Sequence, residues 1–111
     1  MRFSIIVMGH PDQGESSQSA WRFCRAALEK EHQIIQVFFL HDATYQAFVE
    51  DDMSEAWLTL SQQHKFNLDV CVTAMETRHQ LGEGLLDGFS ARGLGQLVDV
   101  TIQADRTITF R

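Results

Sequence analysis

The two cysteines are the residues of this 111-residue sequence whose chemistry stands out. Cys71 lies in the apolar run 68–72 (LDVCV), which predicts a buried strand, and Thr73-Ala74-Met75-Glu76 follows almost directly. That tetrapeptide has the S/T-x-x-E form of a capping box, so a helix is expected to start at Thr73. Unpaired N–H groups and the helix dipole stabilise an anion there, which favours a thiolate. Cys71 is therefore the candidate catalytic nucleophile.

The residues near Cys71 leave its role open. Arg78 would favour a thiolate if its side chain folded back, Glu76 would oppose one, and Thr73 could support the site at the helix start. Cysteine is also a common core residue, so a purely structural Cys71 stays an alternative. Cys24 lies on the apolar stripe of the first predicted helix, and we expect it to belong to the core.

Histidines follow two of the predicted strands: His10 comes after the first strand and His41 after the second. If the strands are parallel, both histidines and Cys71 lie along the edge where open α/β sheets place their functional crevice. The three side chains could support the site or ligate a metal such as zinc. No close-spaced C-x-x-C or H-x-x-x-H motif is present, so no metal is predicted. No cofactor is predicted either, because Gly9–Gly14 lacks both G-x-G-x-x-G and a P-loop lysine.

Apolar runs and helical periodicities alternate along the chain. Strands are predicted at 3–8, 34–40, 68–72 and 106–110, with a short strand near Phe89 at the end of the glycine-containing loop 81–90. Helices are predicted from Ser16 or Ser17, Ser54, Thr73 and Ser90, the last with Leu94, Leu97, Val98 and Ile102 on its inner face. This alternation predicts one α/β domain over residues 1–111. Its expected architecture is a three-layer α/β/α domain with a mainly parallel sheet of about five strands.

Charge and hydropathy restrict the expected partners. The formal net charge is −6 and the basic residues do not cluster, so direct nucleic-acid binding is not expected. The longest apolar run, Ile5–Met8, is far too short to span a membrane. The N-terminal MRFSIIVMGH is typical of a strand rather than of a signal peptide. We therefore expect a cytoplasmic protein with reduced cysteines and no membrane partner.

The chain resembles the DsrE/TusD family of sulfur-relay proteins over almost its whole length. The most specific matching segments are NLDVCVTA and GLGQLVDVTIQADRTITF, supported by MRFSIIVMG, SSQSAWRF, QVFFL and EAWLTLSQQH. The resemblance implies a flavodoxin-like fold and a persulfide-carrying cysteine, which by position is Cys71. It also implies a trimer or hexamer, either of one chain or with related DsrF/TusC-like and DsrH/TusB-like chains. The relay of such proteins feeds tRNA 2-thiouridine formation or sulfur oxidation.

Three functional hypotheses follow. The first is a sulfurtransferase subunit that accepts sulfane sulfur on Cys71 from a persulfide donor protein and passes it to an acceptor protein. The second is an assembly or regulatory subunit without sulfur chemistry, for which Cys71 would be deeply buried and unreactive. The third is a metal-binding module using His10, His41 and Cys71.

Overall fold

The computed structural model describes residues 1–78 and 84–111. The strands are β1 (Arg2–Val7), β2 (Gln33–Phe39), β3 (Asn67–Cys71), β4 (Phe89–Arg92) and β5 (Arg106–Phe110). The α-helices are α1 (Ser16–Glu29), α2 (Asp52–His64), α3 (Val72–Arg78) and α4 (Leu94–Gln103), and a 3-10 helix covers His41–Phe48. Part of the predicted loop 81–90 lies outside the described residues. None of the helices in the described ranges is long and apolar enough to cross a membrane.

The five strands form one parallel sheet in the order β4-β3-β2-β1-β5. The first three crossovers each move one strand along the sheet in the same direction, so the right-handed rule puts α1 and α2 on one face. The last connection returns from one edge to the other, and the same rule puts α4 on the opposite face. The predicted three-layer α/β fold with a parallel sheet of about five strands is confirmed.

The main core lies between the sheet and the helices α1 and α2. Trp57 of α2 is fully buried and meets Phe39 of β2 edge-on, with ring centroids 5.6 Å apart. Its indole N–H donates to Ser17 Oγ at 3.0 Å, and Ser17 Oγ donates to Gln46 Oε1 at 3.0 Å. These bonds satisfy polar groups that burial would otherwise destabilise. Cys24 is fully buried in this core, as predicted.

The opposite face of the sheet is thinly covered, because α4 is the helix that packs on it. The buried apolar side chains there are Phe38, Cys71, Ala74 and Leu97. The prediction that α4 would turn four apolar side chains inward is wrong: Leu97 is 8% exposed, but Leu94, Val98 and Ile102 are 49%, 55% and 76% exposed. The α4 helix meets the sheet through Leu97, and the rest of its apolar stripe faces outward, because periodicity sets which residues share a helix face and not what covers that face.

The starts of α1, α2, α3 and α4 all differ from the sequence prediction. Glu15 occupies the cap position of α1, so Ser16 and Ser17 lie inside the helix. Asp51 caps α2 by accepting from the Ser54 backbone N–H at 2.8 Å, so Ser54 is the third helical residue rather than the cap. Ser90 belongs to β4, and α4 starts only after Gly93. The helix α3 begins at Val72, which places Thr73 inside the helix and not at its cap.

Candidate functional site

Cys71 is the last residue of β3 and lies directly before α3. Side chains alternate along a strand, so Leu68 and Val70 enter the main core whereas Cys71 projects toward α4. Its neighbours on that face are Phe38, Ala74 and Leu97. Cys71 is a free cysteine and only 3% exposed. The thiol therefore lies at a strand–helix junction, beneath a cover that includes Leu97 of α4.

Cys24 is free as well, but it is placed differently. It lies in the middle of α1 and is fully buried among core side chains. Burial raises the pKa of the Cys24 thiol to about 12, because a thiolate there would be without solvation. Cys24 therefore stays a thiol at physiological pH. Cys71, at the end of β3, is the better candidate for thiol chemistry.

Arg78 folds back along α3, which was the condition for it to stabilise a Cys71 thiolate. Its guanidinium group, however, is paired with the carboxylate of Asp42. Its Nε donates to Asp42 Oδ1 at 2.8 Å. Its Nη1 donates to Thr77 Oγ1 at 2.9 Å and to the Ala74 carbonyl oxygen at 3.4 Å. The Arg78 hydrogen bond holds the pKa of Asp42 below its usual range. Arg78 thus links α3 to the 3-10 helix that follows β2. Thr73 is exposed on α3.

His10 and His41 lie close to the same aspartate. Both histidines contribute to lowering the pKa of Asp42, after the larger effects of Arg78. His10 Nδ1 accepts from the Asp12 backbone N–H at 3.0 Å, and its ring lies against Tyr45 with centroids 4.9 Å apart. His41 starts the 3-10 helix with a φ of 51°, a left-handed conformation uncommon for a residue with a side chain.

The carboxyl ends of the parallel strands lie along one edge, as expected from their direction. At that edge a cleft of about 290 Å³ is lined by Met8, Gly9, His41 and Arg111. Within the described residues, no three His, Cys, Asp or Glu side chains are grouped so that they could hold a metal ion. The geometry therefore does not bring His10, His41 and Cys71 together as ligands.

Sequence reasoning missed a polar group on the face that carries Cys71. Asp69 of β3 is 3% exposed, Gln36 of β2 is 2% exposed, and Arg92 of β4 lies at the rim. Burial raises the pKa of Asp69, and the Gln36 hydrogen bond and the Arg92 charge oppose this effect. A carboxylate in the middle of a buried strand was the available signal, because such groups are rarely buried unpaired. Arg92 gave no comparable signal, since strand register is not visible locally.

The fold is that of a three-layer α/β protein with a parallel sheet. It carries a free cysteine, Cys71, at the end of one strand. The family model described as the DsrE/DsrF-like family matches residues 1–110. The chain therefore belongs to the DsrE/DsrF-like family.

Curated relatives align over nearly the full length of both chains. A protein described as a candidate sulfurtransferase DsrE from Allochromatium vinosum is 35% identical, with 99% of this chain and 98% of the relative covered. A sulfurtransferase TusD from Erwinia tasmaniensis is 34% identical over 99% of this chain and 100% of its own. The ychN protein from E. coli has the same fold, with a TM-score of 0.87, 22% identity and 99% of each chain covered. The two relatives named as sulfurtransferases support a role in sulfur relay.

Proposed function

We propose that the protein is a sulfur carrier that holds sulfane sulfur as a persulfide on Cys71. The observation that carries the proposal is the contrast between the two cysteines, because Cys24 is locked in the main core and Cys71 terminates a strand. Relatives named as sulfurtransferases over nearly the full length support the same chemistry. Thiol exchange needs a thiolate and access to it, rather than an acid–base pair.

The transfer is an exchange at sulfur and needs no net oxidant. The Cys71 thiolate attacks the outer sulfur of a donor persulfide, R–S–SH. A new bond forms between Cys71 Sγ and that sulfur, the donor S–S bond breaks, and the donor leaves as R–S⁻. The proton of the outer sulfur stays with it, giving Cys71–S–SH. In delivery an acceptor thiolate attacks the outer sulfur, and Cys71 leaves as a thiolate.

Access to Cys71 requires a local opening, because the side chain is only 3% exposed. The cover includes Leu97, the buried side chain through which α4 packs on the sheet. Elements with few buried apolar contacts open at low free energy compared with global unfolding. A movement of α4 away from the sheet is therefore the route by which a partner's sulfur reaches Cys71.

The proposal is tested by incubating the full chain with a protein or small-molecule persulfide donor and measuring intact mass. The wild-type chain and Cys24→Ser are expected to gain one sulfur atom that a reducing thiol removes, whereas Cys71→Ser gains none. Cys24→Ser is the matched control, since it removes the other thiol. A gain that persists in Cys71→Ser, or no gain in the wild-type chain, would falsify the proposal.

Burial of Cys71 also favours a second candidate, an assembly or regulatory subunit without sulfur chemistry. For that role the thiol would fill space beside Phe38 and Leu97 and would resist both sulfur loading and alkylation. The loading experiment separates the two candidates, because a purely packing cysteine gains no sulfur in the folded chain. The metal-binding alternative gains no support from the arrangement of the described residues.

The partners of such a carrier are the persulfide donor, the acceptor protein and other chains of the same fold. We propose that the chain self-associates or assembles with related DsrF/TusC-like and DsrH/TusB-like chains. The exposed apolar side chains Leu94, Val98 and Ile102 of α4 support an association of this kind. The net charge of −6 argues against direct contact with nucleic acid, so delivery to tRNA would pass through an acceptor protein.

A further inference from the structure

Arg92 is the cation that the register of the sheet places beside Cys71. The two residues are direct partners in the parallel β3–β4 ladder. Paired residues project to the same face, from strands about 4.8 Å apart. Asp69 precedes Cys71 by two residues in β3, so its side chain also projects to the α4 side. A cation and a carboxylate thus share the sheet face on which Cys71 lies.

The contacts of Arg92 hold it over β3 without fixing its direction. Its Nε lies 3.7 Å from Asp69 Oδ1, which is an ion pair and longer than a hydrogen bond. The Asp69 side chain is 4% exposed and that of Arg92 47%, so the carboxylate is the fixed member of the pair. Gln36 Nε2 donates to Asp69 Oδ2 at 2.6 Å and orients the carboxylate. Asp69 Oδ1 accepts no hydrogen bond from the described residues.

Arg78, the other cation near this end of β3, has a stronger counter-ion. It donates to Asp42 Oδ1 at 2.8 Å, and the pKa of Asp42 is lowered, so that carboxylate is fully ionised at neutral pH. The pair of Arg92 with Asp69 is looser, because 3.7 Å separates Arg92 Nε from Asp69 Oδ1 and no hydrogen bond joins the two side chains. The positive charge of Arg92 is therefore less completely offset than that of Arg78.

We propose that Arg92, positioned by Asp69, stabilises the negative charge on Cys71 when this residue attacks a donor persulfide or leaves as a thiolate. Arg92 forms and breaks no covalent bond, and the bond changes are those of the exchange given above. It is a charge-stabilising residue, held over β3 by its ion pair with Asp69, whose carboxylate Gln36 orients. The inference rests on the proposed persulfide role of Cys71 and assigns the supporting charge to Arg92 instead of Arg78.

The test compares the rate at which iodoacetamide alkylates Cys71 at neutral pH, measured on the Cys71 peptide by mass spectrometry. Arg92→Gln is expected to slow the reaction on the order of threefold to tenfold, as for loss of a unit charge about 7 Å away at an effective dielectric constant of about 35 to 80, since the Arg92 side chain is half exposed. Arg92→Lys retains most of the rate. Asp69→Asn increases it, because the asparagine keeps a polar side chain of the same shape beside Arg92 and removes the negative charge that offsets Arg92 and repels a Cys71 thiolate. Arg78→Gln stays within about twofold, because its charge is already paired. High salt narrows the difference between Arg92→Gln and the wild-type chain.

A purely structural role for Arg92 predicts a different pattern. Arg92→Gln and Asp69→Asn would then change the rate in the same direction, and Arg92→Lys would not restore it. That pattern would overturn the inference. Equal effects of Arg92→Gln and Arg78→Gln on the alkylation rate would also overturn it, as would a wild-type Cys71 that iodoacetamide does not alkylate. Alkylation involves no persulfide, so its outcome is separate from sulfur loading: a chain that loads sulfur while Arg92→Gln alkylates normally retains the carrier function and loses the role of Arg92.

Discussion

Asp69 and Asp42 are aspartates whose carboxyl groups respond to folding in opposite directions. Burial raises the pKa of Asp69, so the folded state binds its proton more tightly than the unfolded chain does. The resulting stability is present below the ordinary carboxyl pKa and is lost as pH rises through the raised value. The Arg78 hydrogen bond lowers the pKa of Asp42, and the stability it contributes is present above the ordinary value and lost as pH falls through the lowered one.

Two isosteric substitutions therefore have opposite pH dependence. Relative to the wild-type chain, Asp69→Asn should become more stable as pH rises from about 4 toward 7, because it removes a carboxylate that is costly to ionise. Asp42→Asn should become less stable, relative to wild type, as pH rises through the acidic range up to about 4. Urea unfolding of the wild-type chain, Asp69→Asn and Asp42→Asn at a series of pH values up to about 7 gives the free energy of unfolding of each, and so both trends. Parallel trends for the two variants would contradict the assigned causes.

At the same scale, the site was only partly predictable from the sequence. Cys71 could be located because an apolar run followed by a tetrapeptide of the capping-box form fixes the end of β3 to within one residue. The sequence left open whether Arg78 would fold back, and its partner Asp42, 36 positions away in the chain, could not be inferred. Arg92 was missed because it approaches Cys71 only through the pairing of β3 with β4. Local patterns identify residues, whereas register decides which of them meet.

Among the elements, β1, β2, β3 and β5 were predicted to within one residue at each end, and α4 was misjudged. Buried parallel strands are continuous apolar runs, so the local sequence is enough to predict where they begin and end. The apolar periodicity of α4 was also real, but periodicity shows only that a helix has an apolar face. What covers that face depends on the return crossover from β4 to β5, which a single segment does not encode.

The thin packing of α4 makes Leu97 the element's main anchor above Cys71. Leu97→Ala should destabilise the chain by about 2 kcal/mol, near the lower end of the range for buried leucines. It should also speed alkylation of Cys71, because α4 opens more readily. Gln103→Ala is the control on the same helix, since Gln103 is exposed and lies away from the apolar stripe, and its loss should stay within about 0.5 kcal/mol.

Two measurements report the opening of α4 away from the sheet: hydrogen exchange of the α4 amides and the alkylation rate of Cys71. Faster exchange confined to α4 in Leu97→Ala, with faster alkylation, is the expected result. Equal behaviour of Leu97→Ala and Gln103→Ala would show that α4 does not control access to Cys71. The comparison distinguishes local opening from global unfolding, because the amides of the main-core strands should keep their protection.

For the whole molecule, the exposed side of α4 bears on assembly. Leu94, Val98 and Ile102 recur every four residues and are 49%, 55% and 76% exposed, so they form one apolar stripe along the helix. Burying such a stripe against a second copy removes apolar surface from water, worth about 25 cal/mol per Å². We therefore expect the purified chain to be larger than a monomer, with this stripe in the interface.

Light scattering after size exclusion measures the oligomeric state directly. The double variant Val98→Lys/Ile102→Lys should be monomeric, because two charges cannot be buried unpaired at an apolar contact. Gln62→Lys/Gln63→Lys is the matched control, since it adds the same charge to exposed positions of α2 and should leave the assembly intact. A monomeric wild-type chain would rule out self-association, and an oligomer that survives the α4 substitutions would place the interface elsewhere. Because α4 also covers Cys71, dissociation should change the alkylation rate of that thiol along with the mass.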